Sequence, residues 1–321
     1  MRRLTIPLLL LFSTVVIAVA PFVGATDLSL LGGADSAAVR IFTELRLPRV
    51  LLAWITGATL AVCGLIFQAL FRNSLASPDM LGVSTGAAFG ATLYIRLGTA
   101  VSFFGLFSGL SLAAFIGALA ATAAIYAAGS AKRGGMTAAT QLLAGIAISF
   151  LFSSLNMIIQ YSGGYTDTFR MMRWTMGGVQ AVGYSTVTAT LPPLAVILLI
   201  VLIRAPELDL LVTGEDIASS RGVEVVKLRR RLFLAVSLVI GLNVAVCGPI
   251  GFVGLMAPHI CRKLAGTAHR RLAVACTLFG GAFLVLCDTA ARTLWSPAEV
   301  PAGVVTSCLG SLFFLWLLVR R

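Results

Sequence analysis

The chain has 321 residues, 59% of them hydrophobic and 11% charged, with a mean hydropathy of +0.99 and a formal net charge of +12. Soluble domains carry roughly 25% charged residues, and a chain of this length cannot enclose so much apolar surface in one aqueous core. The composition excludes a water-soluble globule and fits a bilayer as solvent, which makes an all-α integral membrane protein the expected class.

A charge at the bilayer centre costs about 2.5–3.5 kcal/mol even on the mildest scale, so charge-free runs mark the spans. They cover residues 4–26, 50–71, 80–95, 97–131, 134–166, 174–203, 232–261, 272–287 and 300–319. A span needs roughly 20 apolar residues. The run 232–261 contains Cys247-Gly248-Pro249-Ile250-Gly251, a breaker sequence that splits it in two. The expectation is therefore about ten transmembrane helices in one domain, 1–321. The runs lack the alternation of a membrane barrel.

The first run follows two arginines and holds Ala18-Val19-Ala20, like a secretory signal. Its length and the even span count favour an uncleaved first helix. Ten crossings put both termini on one side. With that side cytoplasmic, 17 of the 24 basic residues fall inside, from Arg2 and Arg3 through Lys132, Arg133, Lys227 and Arg229 to Arg320 and Arg321, as basic residues prefer. The exceptions are Arg40, Arg46, Arg49, Arg96, Arg170, Arg173 and Arg292. The basic surplus thus reads as topology, and nucleic acid is not an expected partner.

On the fifth expected helix, Gly145, Ser149, Ser153, Asn156 and Gln160 recur at spacings of four, four, three and four, which places them on one face. Such a stripe either lines a wet pathway or glues helices together; the spacing leaves both open. Gly82 to Gly86 and Gly105 to Gly109 are small-xxx-small patterns that usually mean close helix packing.

The longest cytoplasmic connection is 205–227. Gly214 breaks the preceding segment. Glu215 to Ser220 can form a short helix with acids in its first turn, and Gly222 can end it. Lying between two spans, this helix is suited to dock a cytoplasmic partner. The basic cluster after it also suits anionic lipid.

No phosphate-binding loop of the form G-x-x-x-x-G-K-[ST] occurs, and with only His259 and His269 no Ser-His-Asp set is available. His259, Cys261 and His269 lack zinc-site spacing. The six cysteines are scattered through apolar runs and read as small hydrophobes. Asp288 and Arg292 are the one ionisable pair within a span. An ion-coupled secondary transporter usually carries more such pairs, and a membrane enzyme needs a convergent acid–base or metal set. Uphill transport by this chain would draw its energy from another protein.

Several stretches together resemble the FecCD-type, BtuC-like permeases, the membrane subunits of type II ABC importers for iron-siderophores, haem and cobalamin. They are Arg46-Leu47-Pro48-Arg49, Arg72 to Val83, Gly214-Glu215-Asp216-Ile217-Ala218 with Arg221-Gly222-Val223, Gly248 to Arg262, Asp288 to Arg292, and Glu299-Val300-Pro301-Ala302-Gly303. The set spans nearly the whole chain, in order. Ser74, Arg221 and Leu312 depart from the pattern.

The resemblance implies a BtuC-like fold and a pore formed with a second permease copy, identical or related. It implies two cytoplasmic ABC ATPase subunits that handle ATP and magnesium, this chain binding no cofactor and no metal. It also implies a periplasmic substrate-binding protein and a location in the bacterial inner membrane. By that match Gly214, Glu215, Ala218 and Gly222 form the ATPase-coupling element; from its charge alone, Glu215 is expected to meet a basic residue of the ATPase. Arg46, Arg49 and Arg292 match arginines that receive the binding protein, with interfacial anchoring of the second helix as the other reading of Arg46 and Arg49. Thr137, Ala138, Ala139 and Thr140 match the cytoplasmic constriction, from which Ser149, Ser153, Asn156 and Gln160 would continue the pathway. The implied cargo is a ferric siderophore or related iron chelate, with haem or cobalamin as the alternative.

Overall fold

A computed structural model describes residues 4–24, 36–78, 82–98, 102–103, 107–130, 137–294 and 298–319. Asp79-Met80-Leu81, Gly105 and the basic residues Arg2, Arg3, Lys132, Arg133, Arg320 and Arg321 lie outside the described residues. The helices are α1 (Thr5–Val19), α2 (Ser36–Arg40), α3 (Leu47–Leu70), α4 (Val83–Leu97), α5 (Gly109–Ser130), α6 (Ala138–Ser162), α7 (Tyr165–Thr175), α8 (Ser185–Thr213), α9 (Glu215–Ser220), α10 (Val225–Cys247), α11 (Val253–Ala265), α12 (His269–Thr293) and α13 (Ala302–Val319). Ser102–Phe103 and Phe107–Ser108 pair as a two-residue antiparallel ladder.

Among the described residues, eight helices are long and apolar enough to cross a membrane. The expected count of about ten stands above this number; α4 and α11, at 15 and 13 residues, are too short for that criterion. The chain breaks at Cys247–Phe252 as the glycine and proline there require. Gly248 sits at φ 67° and Phe252 at φ 67°, the latter a left-handed backbone that a bulky side chain adopts only when its surroundings impose it.

α3 is the axis of the bundle. Every residue from Ile55 to Leu70 is buried, because α8, α10, α11 and α12 all pack around it. Lipid gives helices no hydrophobic reason to associate, so close backbone approach must supply the packing energy. A Cβ on Gly64 would lie 1.8 Å from the Gly254 carbonyl oxygen of α11, and one on Gly57 would lie 2.3 Å from that of Gly280 on α12. Trp54 Nε1 donates to Ser13 Oγ at 2.8 Å and ties α1 to the axis. α4 and α5 form a second close pair, where a Cβ on Gly90 would meet the Ala113 carbonyl at 2.0 Å. Gly86, from the first small-residue pattern, faces Gly117 in the same seam.

Three boundaries differ from those expected on sequence. Helix precedes the second span: α2 runs through a π-turn, Ile41–Arg46, directly into α3. Pro48 follows the π-turn, and the Glu44 carbonyl that its missing N–H leaves without a helical donor accepts from Gly183 N at 2.8 Å. Where the runs 134–166 and 174–203 suggest a simple link, the chain forms α7, an amphipathic helix with Met171 buried and Tyr165 and Phe169 exposed. α8 continues ten residues past the expected 203 to Thr213, with Pro192, Pro193 and Pro206 inside it. Leu312 lies in the body of α13.

Candidate functional site

The helices alternate in direction, so α9 lies at one end of the bundle and α7 at the other. At the α9 end, the short helix ends in a Schellman motif. Val223 N donates to Ala218 O at 3.0 Å and Gly222 N to Ser219 O at 3.0 Å, with Gly222 at φ 84°. That backbone costs a side-chain-bearing residue about 1 kcal/mol. Ala218 is fully buried against the chain's own core. Of the four expected coupling residues Ala218 therefore faces inward and helps seat α9. Asp216, Ile217, Ser219, Ser220, Arg221 and Gly222 form the exposed face.

Glu215 finds a basic partner inside this chain. It accepts from Arg229 Nη2 of α10. The Arg229 side chain is 4% exposed and that of Glu215 44%. An ion pair within the chain thus fixes α9 against α10, with the Glu215 carboxylate still partly exposed. Beside it a cavity of about 550 Å³ opens between α8 and α10, bordered by Arg204, Glu207, Arg221, Glu224, Lys227 and Arg231. Nearby, Asp209 Oδ1 accepts from the backbone N of His269 at 3.0 Å and lies 2.6 Å from its Nδ1. This caps the start of α12 from the extended end of α8.

Charge is also concentrated at the α7 end. Arg49 binds Asp288 through Nη2 to Oδ1 at 3.0 Å and Nε to Oδ2 at 3.1 Å, and reaches Glu299 Oε2 through Nη1 at 3.0 Å. Asp288 is 1% exposed. Arg292 Nη2 donates to Ala20 O at 2.9 Å, and Arg46 Nη1 donates to Pro21 O at 3.2 Å. These carbonyls follow the end of α1, where orphan acceptors and the helix dipole favour cations. Arg46 and Arg292 are therefore buried caps of α1, which explains their presence at this end and leaves them little outer surface. Arg49 keeps part of its surface in a cavity of about 310 Å³.

The polar stripe of α6 turns toward α4. Thr92 Oγ1 donates to Asn156 Oδ1 at 2.7 Å, and Asn156 Nδ2 donates to Thr85 O at 3.3 Å. Ser149 Oγ donates to Gly145 O at 2.8 Å. Gly82 lies against the Gly145 carbonyl and the Ser149 backbone. Of the two readings, glue is the one this geometry displays for Asn156; the Ser149 hydroxyl bonds within its own helix, and Ser153 and Gln160 are half-buried. Leu143, Phe150, Met157 and Tyr161 form the exposed, apolar face. Thr137 is the N-cap of α6: its Oγ1 accepts from Thr140 N at 3.2 Å and lies 2.8 Å from Thr140 Oγ1. Thr137 and Ala139 are exposed, Ala138 and Thr140 half-buried, and all four stand at the α9 end.

The profile of the FecCD transport family matches residues 5–320. The chain belongs to the FecCD transport family. Relatives include an uncharacterized ABC transporter permease protein, YvrB, of Bacillus subtilis, 38% identical over 91% of this chain and 82% of its own length. The hemin transport system permease protein HmuU of Yersinia pestis is 38% identical over 89% of this chain and 85% of its own. The vitamin B12 import system permease protein BtuC of Yersinia pseudotuberculosis is 40% identical over 86% and 81%. A metal-chelate type ABC transporter solved in an inward-facing conformation superposes with a TM-score of 0.86 at 28% identity, each chain covered completely.

As a FecCD permease the chain is an integral membrane transport subunit. Several residues that shape its ends carry no role on sequence grounds. Arg229 and Asp209 stand 14 and 60 residues from the groups they bind, a pairing that only the fold reveals. Arg170 and Arg173 on α7 line the 310 Å³ cavity. Their signal is legible as an exception to the inward bias of basic residues.

Proposed function

We propose that this chain is the membrane-spanning subunit of an ATP-driven importer, carrying a ferric siderophore or related iron chelate from the periplasm to the cytoplasm of a bacterium. In this reading the α9 end is cytoplasmic, both termini lie there, and the protein resides in the inner membrane. The observation that carries the reading is α9 itself. It is seated by Ala218 and the Glu215–Arg229 pair, ended by the glycine turn at Gly222, and leaves an outer face free. A rigid knob between two spans transmits a push, which a flexible loop does not.

Two cytoplasmic ATPases bind and hydrolyse ATP with magnesium and grip α9. A second permease copy meets the exposed apolar face of α6, completing the pore, while lipid covers the rest. Thr137 to Thr140 stand beside the inner mouth as the constriction. A periplasmic binding protein delivers the cargo, and Arg49 is the member of the arginine trio with surface left to receive it. Closure of the ATPases rocks the two halves between outward and inward access. A second cargo reading, haem or cobalamin, draws on the relatives named for hemin and vitamin B12.

The test is co-purification of the chain with the ATPase and binding protein encoded beside it, followed by a ligand screen on the binding protein. Recovery of a complex whose binding protein takes a ferric chelate supports the reading. A chain that purifies without an ATPase and moves solute along a proton or sodium gradient overturns it.

A further inference from the structure

We propose that the cavity between α7 and the α10–α11 turn binds the anionic group of an amphiphilic small molecule, and that this molecule is the transported chelate. The second clause rests on the transport reading above; the first does not. The cavity holds about 310 Å³ and is open to the exterior, in the size range of small-molecule sites. Its charge is uneven. Arg49 is already neutralised by Asp288 and Glu299. Arg170 and Arg173, three apart on α7 and so on one helical face, have no ion-pair partner among the described residues. A wall with two uncommitted guanidinium groups recognises carboxylate or phosphate, which such forks bind in a paired geometry.

The remaining wall explains why the ligand is amphiphilic. Ile95, Leu110, Val246 and the half-buried ring of Trp174 offer apolar surface beside the arginines. The floor is rigid. Gly178 N donates to Cys247 O at 2.8 Å and Gly303 N to Gly177 O at 3.0 Å. A Cβ on Gly177 would lie 1.9 Å from the Pro249 carbonyl oxygen, so the backbone that follows α7 is locked onto the α10–α11 turn and the start of α13. A preformed site of this kind loses little on binding. Both arginines also sit at the end of the bundle where basic residues are disfavoured, and among the described residues neither closes an internal ion pair.

The experiment uses the purified full-length chain in lipid nanodiscs, without ATPase, and equilibrium dialysis of naphthalene-2,6-dicarboxylate or its dimethyl ester, with empty nanodiscs subtracted. The diacid is expected to bind with an affinity that falls as salt rises. The ester and the R170Q/R173Q double variant should each be weaker by about tenfold or more, while R170K/R173K retains part of the binding. Both arginines are exposed, so helical content and gel-filtration behaviour should not change. Equal binding of diacid and ester, or an unaltered double variant, would overturn the site. So would binding of hexaglutamate in place of the diacid, which would make the face a protein-docking surface. None of these outcomes depends on ATP. Failure of the transport reading shows separately, as absent ATP-coupled uptake.

Discussion

Arg49 and Asp288, 239 residues apart, close on each other through two parallel hydrogen bonds of 3.0 and 3.1 Å at the α7 end of the bundle. Asp288 has almost no solvent contact, and Arg292 approaches the same carboxylate at 3.7 Å. One acid thus joins the α3 start, the α12 end and, through Arg292, the last carbonyls of α1. Removing one partner of a buried pair leaves the other uncompensated, typically at about 3–5 kcal/mol. Asp288→Asn should lower the melting temperature in detergent sharply. The double variant with Arg49→Gln should be less unstable than the two single effects combined. Strict additivity would show the pair to be uncoupled.

The Glu215–Arg229 pair gives a different kind of prediction. Glu215→Arg sets two guanidinium groups against each other and should loosen α9, lowering ATP-coupled uptake about tenfold, a coupling loss near 1.4 kcal/mol. Exchanging both residues, Glu215→Arg with Arg229→Glu, should restore most of the uptake. If Glu215 acts instead through a basic residue of the ATPase, the exchange rescues nothing.

Two glycines separate strain from collision. At Gly222 no heavy atom lies within 4 Å of the place a Cβ would take, and only the left-handed backbone resists. Gly222→Ala should cost about 1 kcal/mol and keep the permease folded. Gly222→Trp covers the outer face of α9 and should leave folding intact while severing uptake from hydrolysis. At Gly64 the Gly254 carbonyl stands where a methyl would go. Gly64→Ala must push α11 off the axis and should abolish recovery of monodisperse protein.

The Thr92–Asn156 bond tests the role of the α6 stripe. Interhelical hydrogen bonds in membranes contribute about 0.6 kcal/mol on average, up to about 1.7. Asn156→Leu should destabilise by an amount in that range, and Thr92→Val combined with it should add little. A change of cargo preference without loss of stability would restore the pathway reading at Asn156.

Charge-free runs, the break at Cys247–Phe252 and the bounds of α9 were legible in the sequence because each is a local property: apolar length, backbone permissiveness, a cap. Partners were not. Periodicity showed that Gly145, Ser149 and Asn156 share a face, but which helix that face meets depends on packing, and it meets α4. The bias of basic residues marked Arg46, Arg49 and Arg292 as unusual, yet their partners at Pro21, Asp288 and Ala20 lie 25, 239 and 272 residues away. α7 escaped notice because its run is short and its polar face resembles a loop.

The most direct measurement of the proposed ATP-driven transport is accumulation in proteoliposomes holding the chain with the ATPase and binding protein encoded beside it, with ATP on the ATPase side. Accumulation of the chelate should require all three proteins, and the complex carrying Gly222→Trp should hydrolyse ATP without accumulating the chelate. Vesicles holding this chain alone that concentrate the chelate against a gradient would contradict the claim outright.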